Sequence, residues 1–95
     1  EDCILSENPR GTSVYHQIII KHTRRDEIFS HLSKNNIGAA IHYPIPIHKQ
    51  SLYENLGYSL PISEKFSNEV LSLPSFPQLK DDDVKMICKK INEVI

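Results

Sequence analysis

The fold is decided by the stretch GAAIHYPIPIH, which spans residues 38–48. Its apolar first half predicts a strand over about residues 39–43. Regular structure has to stop at the two prolines that follow, because proline fixes φ and removes a backbone donor. The residue before each proline is held extended as well, so the segment is stiff. We therefore expect a rigid strand end that presents His42, Tyr43 and His48; the alternative is a tight loop with two ordinary surface histidines.

Another strand is predicted earlier, over residues 14–21, where β-branched residues are frequent and two sides alternate. The more apolar side should face the core, and it carries Val14, His16, Ile18 and Ile20. His16 is therefore predicted to be a hydrogen-bonded core histidine rather than a ligand, because buried polar groups are usually satisfied. Residues 1–13 have no periodic pattern, and we expect them to form a linker or arm.

A helix is predicted between these strands, over about residues 24–35. Thr23 is suited to be its N-cap, and two acidic residues in the first turn suit the positive end of the helix dipole. Asn36 is suited to the left-handed residue that ends a helix, with Ile37 as the apolar contact beyond it. The buried face of this helix should consist of Ile28, Phe29 and Leu32.

Shorter elements are predicted after the proline-rich stretch. Residues 50–56 indicate a short helix that Gly57 stops, and a further helix begins near Pro61. The inward face of this second helix should consist of Ile62, Phe66 and Val70. Residues 71–73 then predict a short strand or an extended link, which is followed by Pro74 and Pro77.

The last helix is predicted by one apolar stripe at helical spacing, which consists of Val84, Ile87, Cys88, Ile91 and Ile95. Three aspartates precede it and two lysines lie near its end, as the helix dipole favours. Cys88 is thus predicted to lie on the apolar face of this helix, where a free cysteine behaves as a small hydrophobe.

These elements predict an α+β fold with two layers. The sheet is small, open and mainly antiparallel, with two or three strands and with helices packed on one face. A length of 95 residues is enough for one small domain with a modest core. The bare face of the sheet and the proline-rich corner would be left to contact something else.

Composition excludes several classes of protein. Lys and Arg total 11 against 12 Asp and Glu, so nothing favours binding to nucleic acid or to an anionic membrane. No apolar run approaches the roughly 20 residues of a membrane helix, and no signal-peptide pattern is present. Cys3 and Cys88 do not form a disulfide framework, although a bridge between them is compatible with the sequence. A reduced, cytoplasmic protein is the simpler interpretation.

The start of the chain indicates a fragment. It begins at Glu1, and its only methionine is Met86. We therefore expect a piece of a longer protein, in which residues 1–13 connect a missing large domain to a small domain of residues 14–95. Removal of an initiator methionine is the alternative.

An ordered set of motifs carries a family resemblance that spans about residues 14–95. The motifs are Arg25-Asp26-Glu27-Ile28, Asn36-Ile37-Gly38, His42-Tyr43-Pro44-Ile45-Pro46-Ile47-His48 with Gln50 and Tyr53, Leu60-Pro61 with Glu64, Val70-Leu71-Ser72-Leu73-Pro74, and Pro77-Gln78-Leu79. Together they resemble the carboxy-terminal small domain of the DegT/DnrJ/EryC1/StrS sugar aminotransferases. The resemblance implies the fold-type-I aminotransferase fold.

The resemblance also implies an activity for the parent protein. It would use pyridoxal phosphate to transfer an amino group, typically from glutamate, to a UDP- or dTDP-linked keto-sugar for surface polysaccharide, O-antigen or antibiotic-sugar synthesis. The parent would be a cytoplasmic homodimer. Its large domain would hold the cofactor and the Schiff-base lysine, so that the chain alone, which has no catalytic or cofactor-binding residue, would be inactive.

The resemblance implies a substrate-binding role for His42 and Tyr43. Imidazole can donate to a phosphate oxygen, and a phenol offers a hydroxyl and a flat apolar face to a sugar or base. His48 either reaches the same cleft or packs within the domain. Tyr53 is expected to pack, and the role of Gln50 is left open.

The sequence leaves two alternatives from other classes of protein. A metal site would use His42 and His48, but structural zinc needs four ligands and the sequence offers no convincing fourth, so no metal is expected. A stand-alone protein-interaction or small-ligand-binding domain, without catalysis, is the stronger alternative, because a free sheet face can dock onto a partner.

Overall fold

The structure is a computed structural model that describes residues 4–5, for which only the backbone is given, and residues 9–95. Within these residues the elements in chain order are β1 (Ile4–Leu5), β2 (Ile18–Lys21), α1 (Arg25–Lys34), 3₁₀ turns at Ile47–Lys49 and Glu54–Leu56, α2 (Pro61–Glu69), β3 (Val70–Leu73) and α3 (Asp81–Asn92). The predictions for Cys3, for the other residues of 1–3 and for residues 6–8 lie outside the described residues.

The described strands form one antiparallel sheet in the order β1-β2-β3. Ile20 of β2 lies opposite Leu71 of β3, and both side chains are buried. The predicted α+β fold is confirmed. β1 was not expected within residues 1–13, because a strand of two residues is too short to produce a periodic pattern.

The strand predicted at residues 39–43 is wrong except at one position. Ala40 forms an isolated antiparallel bridge with Ser72. The Ala40 N–H donates to the Ser72 carbonyl at 3.0 Å, and the Ser72 N–H donates back at 2.8 Å. Beyond this bridge the chain reaches Pro44 and Pro46, which have no N–H to continue a ladder.

β2 is shorter than predicted, and the expected core position of His16 is wrong because this residue is exposed. Val14, which was expected on the same inner side, is 91% exposed. The paired part of β2 begins at Ile18, which lies opposite Leu73, the last residue of β3 before Pro74.

The core lies between the sheet and the helices α1 and α3. Its buried apolar residues are Ile20, Ile28, Leu32, Leu71, Ile87 and Ile91. Ile28 and Leu32 are fully buried, and Phe29 packs against the cluster, so the predicted inner face of α1 is confirmed. No helix among the described residues is long and apolar enough to cross a bilayer.

The two ends of α1 differ in how well they were predicted. Arg24, not Thr23, occupies the N-cap position, and the Arg24 N–H donates to Nδ1 of His22 at 3.0 Å. At the other end Asn36 has a φ of 59°, as predicted. The N–H groups of Asn36 and Ile37 donate to the carbonyls of the last turn at 3.1 and 3.0 Å, which is the Schellman arrangement.

The apolar stripe of α3 is covered only in part. Ile87 and Ile91 are buried, whereas Val84 and Ile95 are more than 40% exposed. Cys88 is free and exposed, so its predicted place on the buried face is wrong. α3 packs on α1, which covers the centre of the stripe and leaves its margins open.

α2 begins at Pro61 as predicted, because the first helical position needs no N–H. Its predicted inward face is wrong. Ile62 is 76% exposed and Phe66 is 46% exposed, while Ser67 and Glu69 are the buried positions. The described residues therefore leave the apolar face of α2 without cover.

Buried Arg25 joins α1 to the end of α2. Its Nη1 donates to the carbonyl oxygens of Ser67 at 3.0 Å and Val70 at 2.9 Å, and its Nε donates to Asp26 at 2.6 Å. A guanidinium here satisfies carbonyls that a helix end leaves without intrahelical partners, and it suits the negative end of the helix dipole. Arg25 thus fixes where α2 turns into β3.

Candidate functional site

His42 lies at the sheet edge, two residues after the Ala40 bridge. Its half-buried ring meets Ser72 Oγ at 3.0 Å and Gln17 Nε2 at 3.3 Å, both through Nδ1. Ser72 is buried in β3, and Gln17 directly precedes β2. Sequence reasoning missed both partners, because they become neighbours of His42 only through the pairing of the strands.

Tyr43 stands beside this ring and faces outward. It is 70% exposed, and the two ring centroids are 5.3 Å apart with an interplanar angle of 60°. The peptide bond between His42 and Tyr43 is cis. The sheet edge therefore carries the imidazole of His42, which Ser72 and Gln17 hold in place, next to the exposed phenol of Tyr43.

His48 is buried in the Ile47–Lys49 turn, where its Nε2 lies 3.2 Å from Glu64 Oε1 on α2. The Lys49 Nζ lies 3.0 Å from the same oxygen. Hydrogen bonds from Lys49 and then His48 hold the pKa of Glu64 below its ordinary value, because both favour the carboxylate. This contact ties the turn to α2 and agrees with the packing alternative for His48; its substrate role stays a prediction.

Many apolar side chains are exposed from Tyr43 to Phe66, a stretch that we name the 43–66 segment. A helix was predicted at residues 50–56, but the structure has a 3₁₀ turn at Glu54–Leu56, which ends as predicted at left-handed Gly57. Tyr53, expected to pack, is 42% exposed. The exposed large apolar residues of the segment are Tyr43, Ile45, Ile47, Leu52, Tyr53, Leu56, Tyr58, Leu60, Ile62 and Phe66. A set of this size is typical of an interface.

The described lysines do not resemble a Schiff-base lysine, which has to be desolvated to become nucleophilic. Lys21 pairs with Glu69 at 3.4 Å and lies 4.7 Å from the centre of the Phe66 ring. Lys49 and Lys90 pair with Glu64 and Glu93. The remaining lysines are exposed. Within the described residues no three His, Cys, Asp or Glu side chains come together as metal ligands.

Comparison with known proteins gives a consistent result. The DegT/DnrJ/EryC1/StrS aminotransferase family matches residues 2–92. The chain is 40% identical over 83 residues to a protein of Geobacillus stearothermophilus named "Pleiotropic regulatory protein", a match that covers 84% of the chain and 22% of that protein. It is 34% identical over 96 residues to the UDP-N-acetyl-3-dehydro-alpha-D-glucosamine 3-aminotransferase of Acidithiobacillus ferrooxidans, which covers 99% of the chain and 26% of that protein.

Solved structures agree with the sequence matches. The chain aligns with DesV of S. venezuelae, solved with a ketimine intermediate, at a TM-score of 0.86 and 33% identity; the match covers 94% of the chain and 25% of that protein. Further relatives are named as transaminases of dTDP- or UDP-linked sugars. The chain spans about a quarter of the length of the relatives it matches.

Proposed function

Because the chain belongs to the DegT/DnrJ/EryC1/StrS aminotransferase family, we propose that it is the carboxy-terminal small domain of a pyridoxal-phosphate-dependent enzyme that aminates a nucleotide-linked keto-sugar. The observation that carries the proposal is the match of nearly the whole chain to about a quarter of relatives named as sugar aminotransferases. The amino donor is typically glutamate, and the sugar carries UDP or dTDP. The enzyme works in the cytoplasm and supplies amino sugars for surface polysaccharide, including O-antigen.

The cofactor is bound by a large domain of the same protein. The described lysines are paired or exposed, so they do not fit a Schiff base with the cofactor's aldehyde. When bound, pyridoxal phosphate supplies the electron sink for amino transfer. In this proposal residues 1–13 connect the two domains and residues 14–95 form the small one.

The small domain contributes ligand contacts at His42 and Tyr43. Ser72 and Gln17 both contact Nδ1 of His42. Nε2 is therefore available to donate to an oxygen of the diphosphate or sugar. The exposed phenol of Tyr43 adds a hydroxyl and a flat face next to it. Removing either contact should weaken transition-state binding by about 1–3 kcal/mol, which is the usual effect of losing a buried hydrogen bond.

The 43–66 segment supports the view that the domain docks onto more protein. Leu52 and Ile62 are each more than 70% exposed in the described residues. Apolar side chains exposed in this way favour association with another protein surface. We propose that this segment meets the large domain of the same protein or of the second subunit in a homodimer. Burial there would place His42 and Tyr43 near the cofactor cleft.

The test uses the full-length enzyme with His42→Ala and Tyr43→Phe. Each variant should lower kcat/KM for the nucleotide-sugar by about tenfold to a hundredfold, while cofactor absorbance and the half-reaction with glutamate stay unchanged. His31→Ala serves as the control, since His31 lies on α1 and contacts Glu93. Unchanged sugar kinetics in both site variants would contradict a role of His42 and Tyr43 in binding the nucleotide-sugar. Loss of the cofactor would show that these residues contribute to cofactor binding instead.

A second candidate is a stand-alone binding domain without catalysis. It is favoured by the exposed 43–66 segment and by the name of the Geobacillus stearothermophilus relative. The intact mass of the natural protein separates the two candidates. A mass near that of a full aminotransferase supports the enzyme, whereas a product of about 11 kDa, close to the 10.9 kDa of this chain, supports the binding domain.

A further inference from the structure

The ring of His42 has two polar contacts at the same nitrogen. Nδ1 lies 3.0 Å from Ser72 Oγ and 3.3 Å from Gln17 Nε2. Ser72 is only 6% exposed and sits in a strand whose backbone is bonded to Ala40, so its hydroxyl is fixed in place. Gln17 approaches from the strand on the other side of β3, since Ile18 pairs with Leu73.

These partners decide which nitrogen of a neutral ring carries the proton. An amide nitrogen only donates, whereas a serine hydroxyl either donates or accepts. If Nδ1 has no proton, its single lone pair accepts from both groups in one shared, three-centre hydrogen bond. If Nδ1 carries the proton, its N–H points at the N–H of the Gln17 amide, and one contact becomes repulsive. With the Gln17 amide oriented so that its nitrogen faces Nδ1, the arrangement is satisfied only when the proton is on Nε2.

We propose that Gln17, together with Ser72, is a positioning residue that holds neutral His42 in the Nε2–H tautomer, so that the ring presents a donor beside Tyr43. The tautomer follows from the contacts of this chain alone. Only the identity of the acceptor, an oxygen of a diphosphate or sugar, rests on the proposed function.

The tautomer matters because phosphate oxygens accept hydrogen bonds and do not donate them. With the proton on Nδ1, the lone pair of Nε2 would face the ligand oxygen, and the ring would repel what it should bind. Gln17 thus acts through His42 without touching the ligand. Because Gln17 is exposed, its side chain can be changed without disturbing the core.

The test compares two substitutions of Gln17 that keep a polar side chain: one reverses its hydrogen-bonding role from donor to acceptor, and the other keeps the donor. In Gln17→Glu a carboxylate accepts, so a proton should move onto Nδ1. In Gln17→Lys an ammonium donates, so the proton should stay on Nε2. Nitrogen-15 NMR of the histidine rings in the natural full-length protein, at a pH where the rings are neutral, identifies the nitrogen that carries the proton. His31 and His48 provide internal references, and their signals should not change.

An Nε2–H tautomer in the wild type and in Gln17→Lys, with a proton on Nδ1 in Gln17→Glu, supports the proposal. A wild-type ring with its proton on Nδ1, or no change in Gln17→Glu, overturns it. The ligand is tested separately with the nucleotide-sugar, for which Gln17→Glu should lower kcat/KM by about tenfold to a hundredfold and Gln17→Lys much less. A reversed tautomer with unchanged sugar kinetics supports the positioning role and contradicts the proposed function.

Discussion

The core and the 43–66 segment use the same kinds of apolar residue in opposite ways. Leu32 in the core is fully buried, whereas Leu52 in the segment is 78% exposed. Ile28 and Ile62 show the same contrast. Since both members of each pair have equal hydrophobicity, the difference lies in what surrounds them. The core is completed by this chain, and the segment is suited to be completed by another protein surface.

The largest expected effect comes from deleting the same atoms in both regions. Leu32→Ala should lower the free energy of unfolding by about 3–5 kcal/mol, because it leaves a cavity in a packed core. Leu52→Ala should change it by no more than about 0.5 kcal/mol, because an exposed side chain loses few contacts. Urea unfolding measures both.

Equal losses for these two leucines would show that the regions do not differ as described. Should Leu32→Ala fail to fold, Ile28→Val provides a smaller step of about 1 kcal/mol in the same cluster.

The next effect concerns Arg25, which joins α1 to the end of α2. Arg25→Met should destabilise the protein by about 2–3 kcal/mol, because the carbonyls of Ser67 and Val70 lose a charged, buried donor. The same change at neighbouring Arg24 is the control. Its pair with Glu27 is exposed, so the loss should be much smaller. Thermal or urea unfolding that ranks Arg24→Met as the more harmful variant would contradict this role of Arg25.

The smallest effect concerns the contact inside the 43–66 segment. Folding lowers the pKa of Glu64 from its ordinary value of 4.5, mainly through Lys49 and then His48. A lowered pKa means that the carboxylate stabilises the fold above about pH 4.5, and that this contribution is lost as the pH falls through the folded value. The pKa can be followed by NMR of the Glu64 carboxyl carbon.

Two variants sharpen this prediction. Lys49→Ala should raise the pKa of Glu64 towards 4.5, because the largest cause of the shift is removed. Glu64→Gln should flatten the acid limb of the stability profile, although the carboxylates of Glu27 and Glu93, whose pKa values are also lowered, will keep part of it. A Glu64 pKa that does not move in Lys49→Ala would rule out this contact.

Local sequence signals were sufficient to predict a structural feature where the conformation of a residue depends on its neighbours in the chain. Asn36 ends α1 because a left-handed residue is required there, and Pro61 begins α2 because its missing N–H is harmless at that position. Periodicity found the inner face of α1 for the same reason. In α2 it failed, since a period of 3.6 residues tells which side chains share a face and not what that face meets.

Pairing between distant segments could not be predicted from the sequence. The burial of Ile20 opposite Leu71 depends on how β2 pairs with β3, and the site depends on Ser72 and Gln17 lying behind His42. Both follow from a register that no local pattern encodes, because a ladder is specified by two strands together.

The sequence by itself therefore determined the kinds of element, most of their ends and the family resemblance, since these depend on backbone restrictions and on spacing within a few residues. Only the tertiary structure decided which apolar faces are covered and which partners hold His42. Burial and hydrogen bonding are properties of surfaces in contact, and those surfaces exist only once distant parts of the chain have come together.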